Sequence, residues 1–400
     1  MNTALRALKD RIPHSLKVKY YARKQEQTRR KTGSIDHIAA VLRNLESVPF
    51  ETYMWDRLSS QTEVTELPKL VGEIEINDSC NIDCVMCKTS MAKRKKGLME
   101  IDLFEHTIAK LAGAGMKNVT LHTIGDPLAN RNLAKYLAIL RKYGMTVSDL
   151  SSNCQLLERH LDTLFEYRDV IYTFRPSIDA ASKEVYERIR VGGKWETLHA
   201  ALRLFAERNA KAPLPFPVSV NNIISQDNIH EIAFIPGVFS YLAPPVNFRY
   251  AFINSLAPVN DYFFGKNCFD SYMQNAPCHT IWNSVYVLKD GSLTTCCRDY
   301  NGDLVFGDVL KDDLKEAYNN PTMRRIRRAH LDGNTQAMPD LCRDCFIVDP
   351  RLSDVINGIF QYFIRHVGKD AAELQAALPE IIAGLGARDF DAVLERVRRL

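Results

Sequence analysis

Residues 80–87 read CNIDCVMC, placing Cys80, Cys84 and Cys87 in a C-x3-C-x2-C spacing directly after Gly72–Asn77 (GEIEIN), whose alternation reads as a β-strand. Three thiolates on one short loop can hold three corners of an iron–sulfur cube and leave the fourth iron open to an outside ligand. Structural zinc is the competing reading. Zinc, however, closes its tetrahedron with four ligands, and this loop offers no fourth Cys or His. Where the loop sits in the fold then decides what it does.

Downstream, strands and helices alternate. Asp102–Ala114 reads as a helix, Asn118–Ile124 (NVTLHTI) as a strand, Asn130–Tyr143 as a helix and Met145–Ser152 as a strand. Leu156–Tyr167 is a helix and Val170–Ile178 a strand; helix then runs from Ser182 to Asn209 with a break at Gly192-Gly193. Strand Pro217–Ile224, helix Ile229–Ser240 and strand Val246–Phe252 complete six βα units in about 190 residues. Such alternation implies an α/β fold with a parallel sheet. A closed eight-unit barrel takes about 250 residues, so a partial (βα)6, TIM-like barrel fits better, with ligands at the C-terminal ends of its strands.

Composition agrees with a folded chain. A hydrophobic fraction of 46% with 25% charged excludes a disordered or collagen-like protein. No apolar run approaches the roughly 20 residues of a membrane span, and the N-terminus carries charges where a signal peptide is apolar, so a cytoplasmic location is expected. Ten cysteines in such a compartment point to metal or redox chemistry rather than disulfides. Charge is uneven: residues 1–31 hold ten Lys or Arg against Asp10 and Glu26, a net of +8 where the whole chain carries +4. This arm reads either as a solvated helix or as a contact for an anionic partner. It lacks a nucleic-acid motif, and nucleic acid is not expected as a partner.

The three-cysteine loop after the first strand of a partial barrel resembles the radical S-adenosylmethionine (SAM) superfamily. That resemblance implies a 4Fe–4S cluster on Cys80, Cys84 and Cys87 whose open iron is chelated by SAM, and reductive cleavage of SAM to a 5'-deoxyadenosyl radical that abstracts hydrogen from a substrate. Met86 stands where many members have an aromatic residue and would pack beside the adenine. Gly125-Asp126-Pro127-Leu128 resembles the GGEP motif that binds SAM's amino group, and Ser151-Ser152-Asn153 a T-N-G motif. Ser177-Ile178-Asp179 with Arg190 before Gly192-Gly193 matches an S-x-D and R-x-G-G pattern suited to SAM's carboxylate and ribose. The implied SAM contacts are thus Met86, Gly125, Asp126, Asn153, Ser177, Asp179 and Arg190.

A second set, Cys278, Cys296, Cys342 and Cys345, surrounds a hairpin with Lys289-Asp290-Gly291 at its turn. A zinc ribbon is one reading. Beside the first loop, the set resembles the SPASM and twitch extensions of radical SAM enzymes, which hold auxiliary iron–sulfur clusters. No cysteine follows Cys345, so one auxiliary 4Fe–4S cluster is expected; Cys154, Cys268 and Cys297 remain, with Cys297 competing with Cys296 as ligand. The expected organisation is a basic, mainly helical extension (1–67), a radical SAM core (68–262), a small C-terminal auxiliary cluster domain (263–350) and a helical tail (351–400).

A closed auxiliary site favours electron transfer, hence a radical SAM oxidoreductase that dehydrogenates its substrate. The alternatives are peptide or protein modification, epimerisation, or a non-catalytic zinc or nucleic-acid binding protein. Lys88, Lys93, Arg94, Lys95 and Lys96 read either as a barrel-mouth cluster for an acidic small-molecule or peptide substrate or as a solvated loop. Arg175 points into the barrel by strand alternation. A flavodoxin- or ferredoxin-type reductant is implied by the resemblance; the general base and oligomeric state are not encoded in any motif.

Overall fold

The computed structural model describes residues 31–67, 71–87, 89–242, 246–255, 260–367 and 371–400. The basic stretch before Lys31, and Lys88, lie outside the described residues. Six parallel strands succeed one another in sequence and in space: β1 (Val71–Ile74), β2 (Asn118–Thr120), β3 (Thr146–Ser152), β4 (Ile171–Pro176), β5 (Val218–Ile224) and β6 (Val246–Phe252). Their register sets Gly72 against Val119, Val147 against Ile171 and Val218 against Val246.

The crossover helices owe their position to one apolar face each. Ile101–Gly113 buries Phe104, Ile108 and Leu111; Leu133–Lys142 buries Leu133, Tyr136, Leu137 and Leu140; Trp195–Lys211 buries Leu198, Leu202 and Phe205. These recur at helical spacing. Each fully buried side chain contributes about 1.5–3 kcal/mol, and Phe104 meets Tyr136 edge-on at 4.6 Å. The fifth crossover differs from the helix expected over Ile229–Ser240. It breaks into short turns at Ile232–Phe234, Ile235–Val238 and Ser240–Leu242, because Pro236 has no N–H to continue a helix.

β6 does not close onto β1, so the barrel is open and each free edge is covered by the C-terminal part of the chain. On the β1 edge, β7 (Ser284–Val287) pairs parallel to β1, followed antiparallel by β8 (Ser292–Thr294) and β9 (Gly307–Asp308). The expected hairpin exists, with Gly291 at φ +89 in its turn, but it extends the barrel sheet rather than standing apart. On the β6 edge lies the helix Pro350–Tyr362. Asn357 accepts from the Tyr250 N–H at 2.9 Å and donates to the Tyr250 carbonyl at 2.7 Å, Ser353 Oγ accepts from the Phe252 N–H, and Phe360 stacks on Tyr250. These side chains satisfy backbone groups that would otherwise template another strand. Helix Ile35–Ser47 packs on the same C-terminal helix, where Gly358 leaves room for Ile38.

Candidate active site and cluster centre

The C-terminal ends of β1 to β5 surround a cavity of about 420 Å³. Cys80, Cys84, Cys87, Met86, Gly125, Asp126, Asn153, Ser177, Asp179 and Arg190 all line it, so every residue expected around SAM converges there. A larger groove of about 980 Å³, between residues 268–272 and the helix Ala371–Ala387, lies away from both sets of clustered cysteines; only Cys268 borders it.

Gly125 makes the cysteine loop possible. It sits at φ +81, and a Cβ there would lie 2.7 Å from the Ser79 carbonyl and 2.8 Å from that of Asn77, so only glycine lets the two loops touch. Asp126 then ties three elements together. Its buried carboxylate accepts from Leu128 N (2.8 Å), Ser152 Oγ (3.0 Å) and Asn153 N (2.6 Å), while its own N–H donates to Ser79 O. Burial pushes its carboxyl upward and those bonds work against the shift.

Each of the three sulfurs has one polar neighbour from a different element. Asn153 Nδ2 lies 3.4 Å from Cys80 Sγ, Arg190 Nη1 lies 3.6 Å from Cys84 Sγ, and Thr89 Oγ1 lies 3.3 Å from Cys87 Sγ. Cys84 is further fixed by a two-residue antiparallel ladder with Arg190 and Val191. Arg190 also bonds Asp179 at 2.6 Å in a buried ion pair. Burial opposes its charge, but Asp179 and Cys84 outweigh that and keep the guanidinium ionised. Asp179, at φ +70, accepts from Ile223 N as well. The guanidinium expected to meet SAM's carboxylate is thus shared between Asp179 and a cysteine. Burial drives Cys80 up to about 11 and Cys84 up to about 12, so a metal ion binding there displaces protons. Three thiols, each with a hydrogen-bonding neighbour, around one cavity fit a three-cysteine iron–sulfur cluster with an open corner.

The second set also converges. Cys278 lies in the loop before Thr280–Asn283, Cys296 after β8, Cys342 within the short helix Asp340–Arg343, and Cys345 before Phe346–Ile347, which pairs with Met273–Gln274. Cys342 is pushed up to about 12 by burial and by Cys278 and Cys345; Cys345 is raised by burial, with Cys278 adding to it. Arg298 donates to Cys345 Sγ at 2.7 Å and, through its backbone N–H, to Cys296 Sγ at 3.4 Å. Cys297 stands between the two sets: its side chain bonds that of Cys296 and it acts on Cys345, while together with Tyr300 it also lines the first cavity, and Tyr300 senses Cys87 on one side and Cys296 and Cys297 on the other. Thiols gathered in this way are the donor type that iron–sulfur clusters use.

The basic run after the first loop is largely structural. Arg94 forms a two-pronged bond with buried Glu75, both arms at 2.8 Å, and donates to Tyr300 O; Lys96 donates to the carbonyls of Asp78 and Thr89. Arg175 lines the cavity but is paired with Asp149 at 2.7 Å. Four contributors escaped the sequence reading: Thr89, His122, Arg298 and Tyr300. His122 lines the cavity with an unpartnered, buried Nδ1 and is pulled down to about 4 by burial and then by Arg175, so it is neutral. Only Arg298 had a sequence signal, its place two residues after Cys296.

Residues 74–228 match the family model of the Radical SAM superfamily, and residues 278–346 match SPASM, an iron-sulfur cluster-binding domain. The chain is a radical SAM enzyme with a C-terminal SPASM domain, and these domains imply SAM and 4Fe–4S clusters. The S-adenosyl-L-methionine-dependent 2-deoxy-scyllo-inosamine dehydrogenase of Niallia circulans is 20% identical over 277 residues, 68% of this chain and 91% of that protein. Among solved structures, native anSMEcpe with bound AdoMet aligns with a TM-score of 0.51 at 14% identity, over 77% of this chain and 99% of its own. Streptococcus suis SuiB bound to the precursor peptide SuiA aligns with a TM-score of 0.52 at 12% identity, over 69% and 70%. The structural likeness is one of fold. The reading as a non-catalytic zinc or nucleic-acid protein gives way to the two domain matches.

Proposed function

We propose that this enzyme dehydrogenates a polar small molecule, with Cys80, Cys84 and Cys87 holding the SAM-binding cluster and Cys278, Cys296, Cys342 and Cys345 holding an auxiliary one. When bound, the first cluster supplies the electron that cleaves SAM to methionine and a 5'-deoxyadenosyl radical. Hydrogen abstraction from a substrate carbon, then loss of one electron and one proton, amounts to a two-electron oxidation.

What supports this reading is the second cysteine group: Cys278, Cys342 and Cys345 act on one another, Cys296 joins them through Cys278, and Cys297, the competing ligand, stands beside Cys296 at the edge of the first cavity. A centre with all corners taken suits electron transfer rather than substrate ligation. The cavity wall supports a polar substrate, since His122, Ser151, Arg175 and Asn221 line it. The Niallia dehydrogenase points the same way. Within the site, Gly125 and Ser177 are assigned to SAM, Met86 to its adenine, and Asp126, Asp179, Asn153 and Arg190 to holding the loop and its sulfurs. The core is taken as 68–262 and the cluster unit as 263–350. A flavodoxin- or ferredoxin-type protein is proposed as electron donor and the cytoplasm as location; no helix among the described residues is long and apolar enough to cross a membrane.

Anaerobic reconstitution tests the assignment. About eight irons per chain, falling to about four in Cys342→Ala with 5'-deoxyadenosine formation retained, is expected; an unchanged iron count in that variant sinks the auxiliary site. Turnover with 2-deoxy-scyllo-inosamine and related amino- and hydroxy-cyclitols should give a product lacking two hydrogens, one 5'-deoxyadenosine per product. A product of unchanged mass would make the enzyme an epimerase, and modification only of added peptide would favour the maturation reading.

A further inference from the structure

Arg298, partly buried, differs from the buried Arg190 beside the first cysteines. It lies in the loop after β8 and reaches Cys345, with Nη1 2.7 Å from that sulfur, and its backbone N–H lies 3.4 Å from Cys296 Sγ. A guanidinium keeps its positive charge in proteins, so the charge at this position is fixed. No carboxylate among the described residues forms an ion pair with it. Asp299, its neighbour, turns instead to Thr294 and to the N–H groups of Asp303 and Leu304. With no carboxylate to pair with, its positive charge is left facing the sulfur that Nη1 reaches.

We propose that Arg298 is a positioning residue that raises the reduction potential of the auxiliary cluster. Gaining one electron adds one negative charge to a centre bounded by four thiolates, and an adjacent fixed positive charge donating to a ligand sulfur favours that reduced form. At the first site the corresponding arginine cannot act this way to the same degree, because Arg190 is neutralised by Asp179 at 2.6 Å. The inference rests on the proposed auxiliary cluster and gives it the electron-accepting bias that an oxidation needs. The segment Cys296–Tyr300 links the two sites, since Cys297 and Tyr300 line the SAM cavity while Arg298 faces Cys345.

The test is an EPR-monitored redox titration of the full-length, anaerobically reconstituted protein, reading both clusters without any substrate. In Arg298→Gln the auxiliary cluster should become harder to reduce, its one-electron equilibrium shifting at least tenfold, or about 59 mV, while the SAM-binding cluster stays where it was. An unmoved auxiliary potential with full iron content overturns the proposal. If Arg298→Gln fails to retain the auxiliary cluster, Arg298→Lys decides: it keeps the charge, so the auxiliary potential should stay close to the wild-type value, and a fall of about 59 mV or more overturns the proposal. A wild-type protein that takes up only about four irons overturns the auxiliary site itself and this inference with it. A cluster that shifts as expected in a protein that performs no oxidation leaves Arg298's role standing and removes only the dehydrogenase reading.

Discussion

Both cysteine groups have an arginine within reach of a cysteine sulfur, Arg190 buried and Arg298 partly buried, and the two are handled in opposite ways. Arg190, 3.6 Å from Cys84, is paired with Asp179, and that carboxylate is itself held by Ile223 N. Arg298, 2.7 Å from Cys345, forms no ion pair with a carboxylate among the described residues. The first arrangement fixes geometry with little net charge, as suits a loop that must hold an open corner at the end of the barrel strands. The second leaves a net positive charge beside the proposed auxiliary site. Identical residue types thus serve anchoring in one place and charge compensation in the other, and the carboxylate is what separates them.

The largest way to break the comparison is to remove the sulfur that Arg190 faces. Cys84→Ala should abolish 5'-deoxyadenosine formation on dithionite addition and leave about four irons per chain, those of the auxiliary site. Continued 5'-deoxyadenosine release would disprove the assigned radical site. Next in size is Asp179→Asn, which turns the first centre into a copy of the second by leaving Arg190 without a carboxylate. Breaking a buried pair from one side typically costs about 3–5 kcal/mol, so the denaturation midpoint of the cluster-free chain should fall clearly. Where the variant retains its cluster, the SAM-binding centre should become easier to reduce. A wild-type midpoint together with an unmoved potential would show that the pair does not distinguish the two sites.

Gly125→Ala has an intermediate effect. It places a Cβ against two carbonyls at a positive φ, strain of about 1–3 kcal/mol. The change should lower iron occupancy of the first site and spare that of the second. Equal occupancy at both sites would mean that the loop tolerates the methyl group by moving.

What the sequence made legible follows the range of the interactions involved. Strand alternation and cysteine spacing are local, so the six parallel strands and the first loop could be placed from residues 72–252 alone. The pairing of β7 with β1, which sets Glu73 beside Tyr286, joins residues more than 200 apart, and nothing in the hairpin's own pattern announces it. The same holds for Asn357, whose task is to satisfy the backbone of Tyr250 across 107 positions. Charge misleads for a related reason. Arg94 and Lys96 look like part of a solvent-facing run, yet Glu75 and the Asp78 and Thr89 carbonyls take them up once the loop folds back. Arg190 was legible from its motif but its ion pair with Asp179 was not, because both were assigned to an outside ligand rather than to each other.

The smallest expected effect sharpens the comparison by isolating a neutral contact. Thr89 Oγ1 lies 3.3 Å from Cys87 Sγ and 3.4 Å from the Gly125 N–H, so its hydroxyl can accept from the glycine while donating to the sulfur. Thr89→Val keeps the side-chain shape and removes both bonds, for a stability loss of about 0.5–1.5 kcal/mol. With no charge removed, the potential of the SAM-binding cluster should fall by less than the auxiliary cluster falls in Arg298→Gln. Redox titration of the two variants side by side measures the difference. A Thr89→Val shift as large as that of Arg298→Gln would mean that hydrogen bonding to sulfur, and not the uncompensated charge, sets the two centres apart.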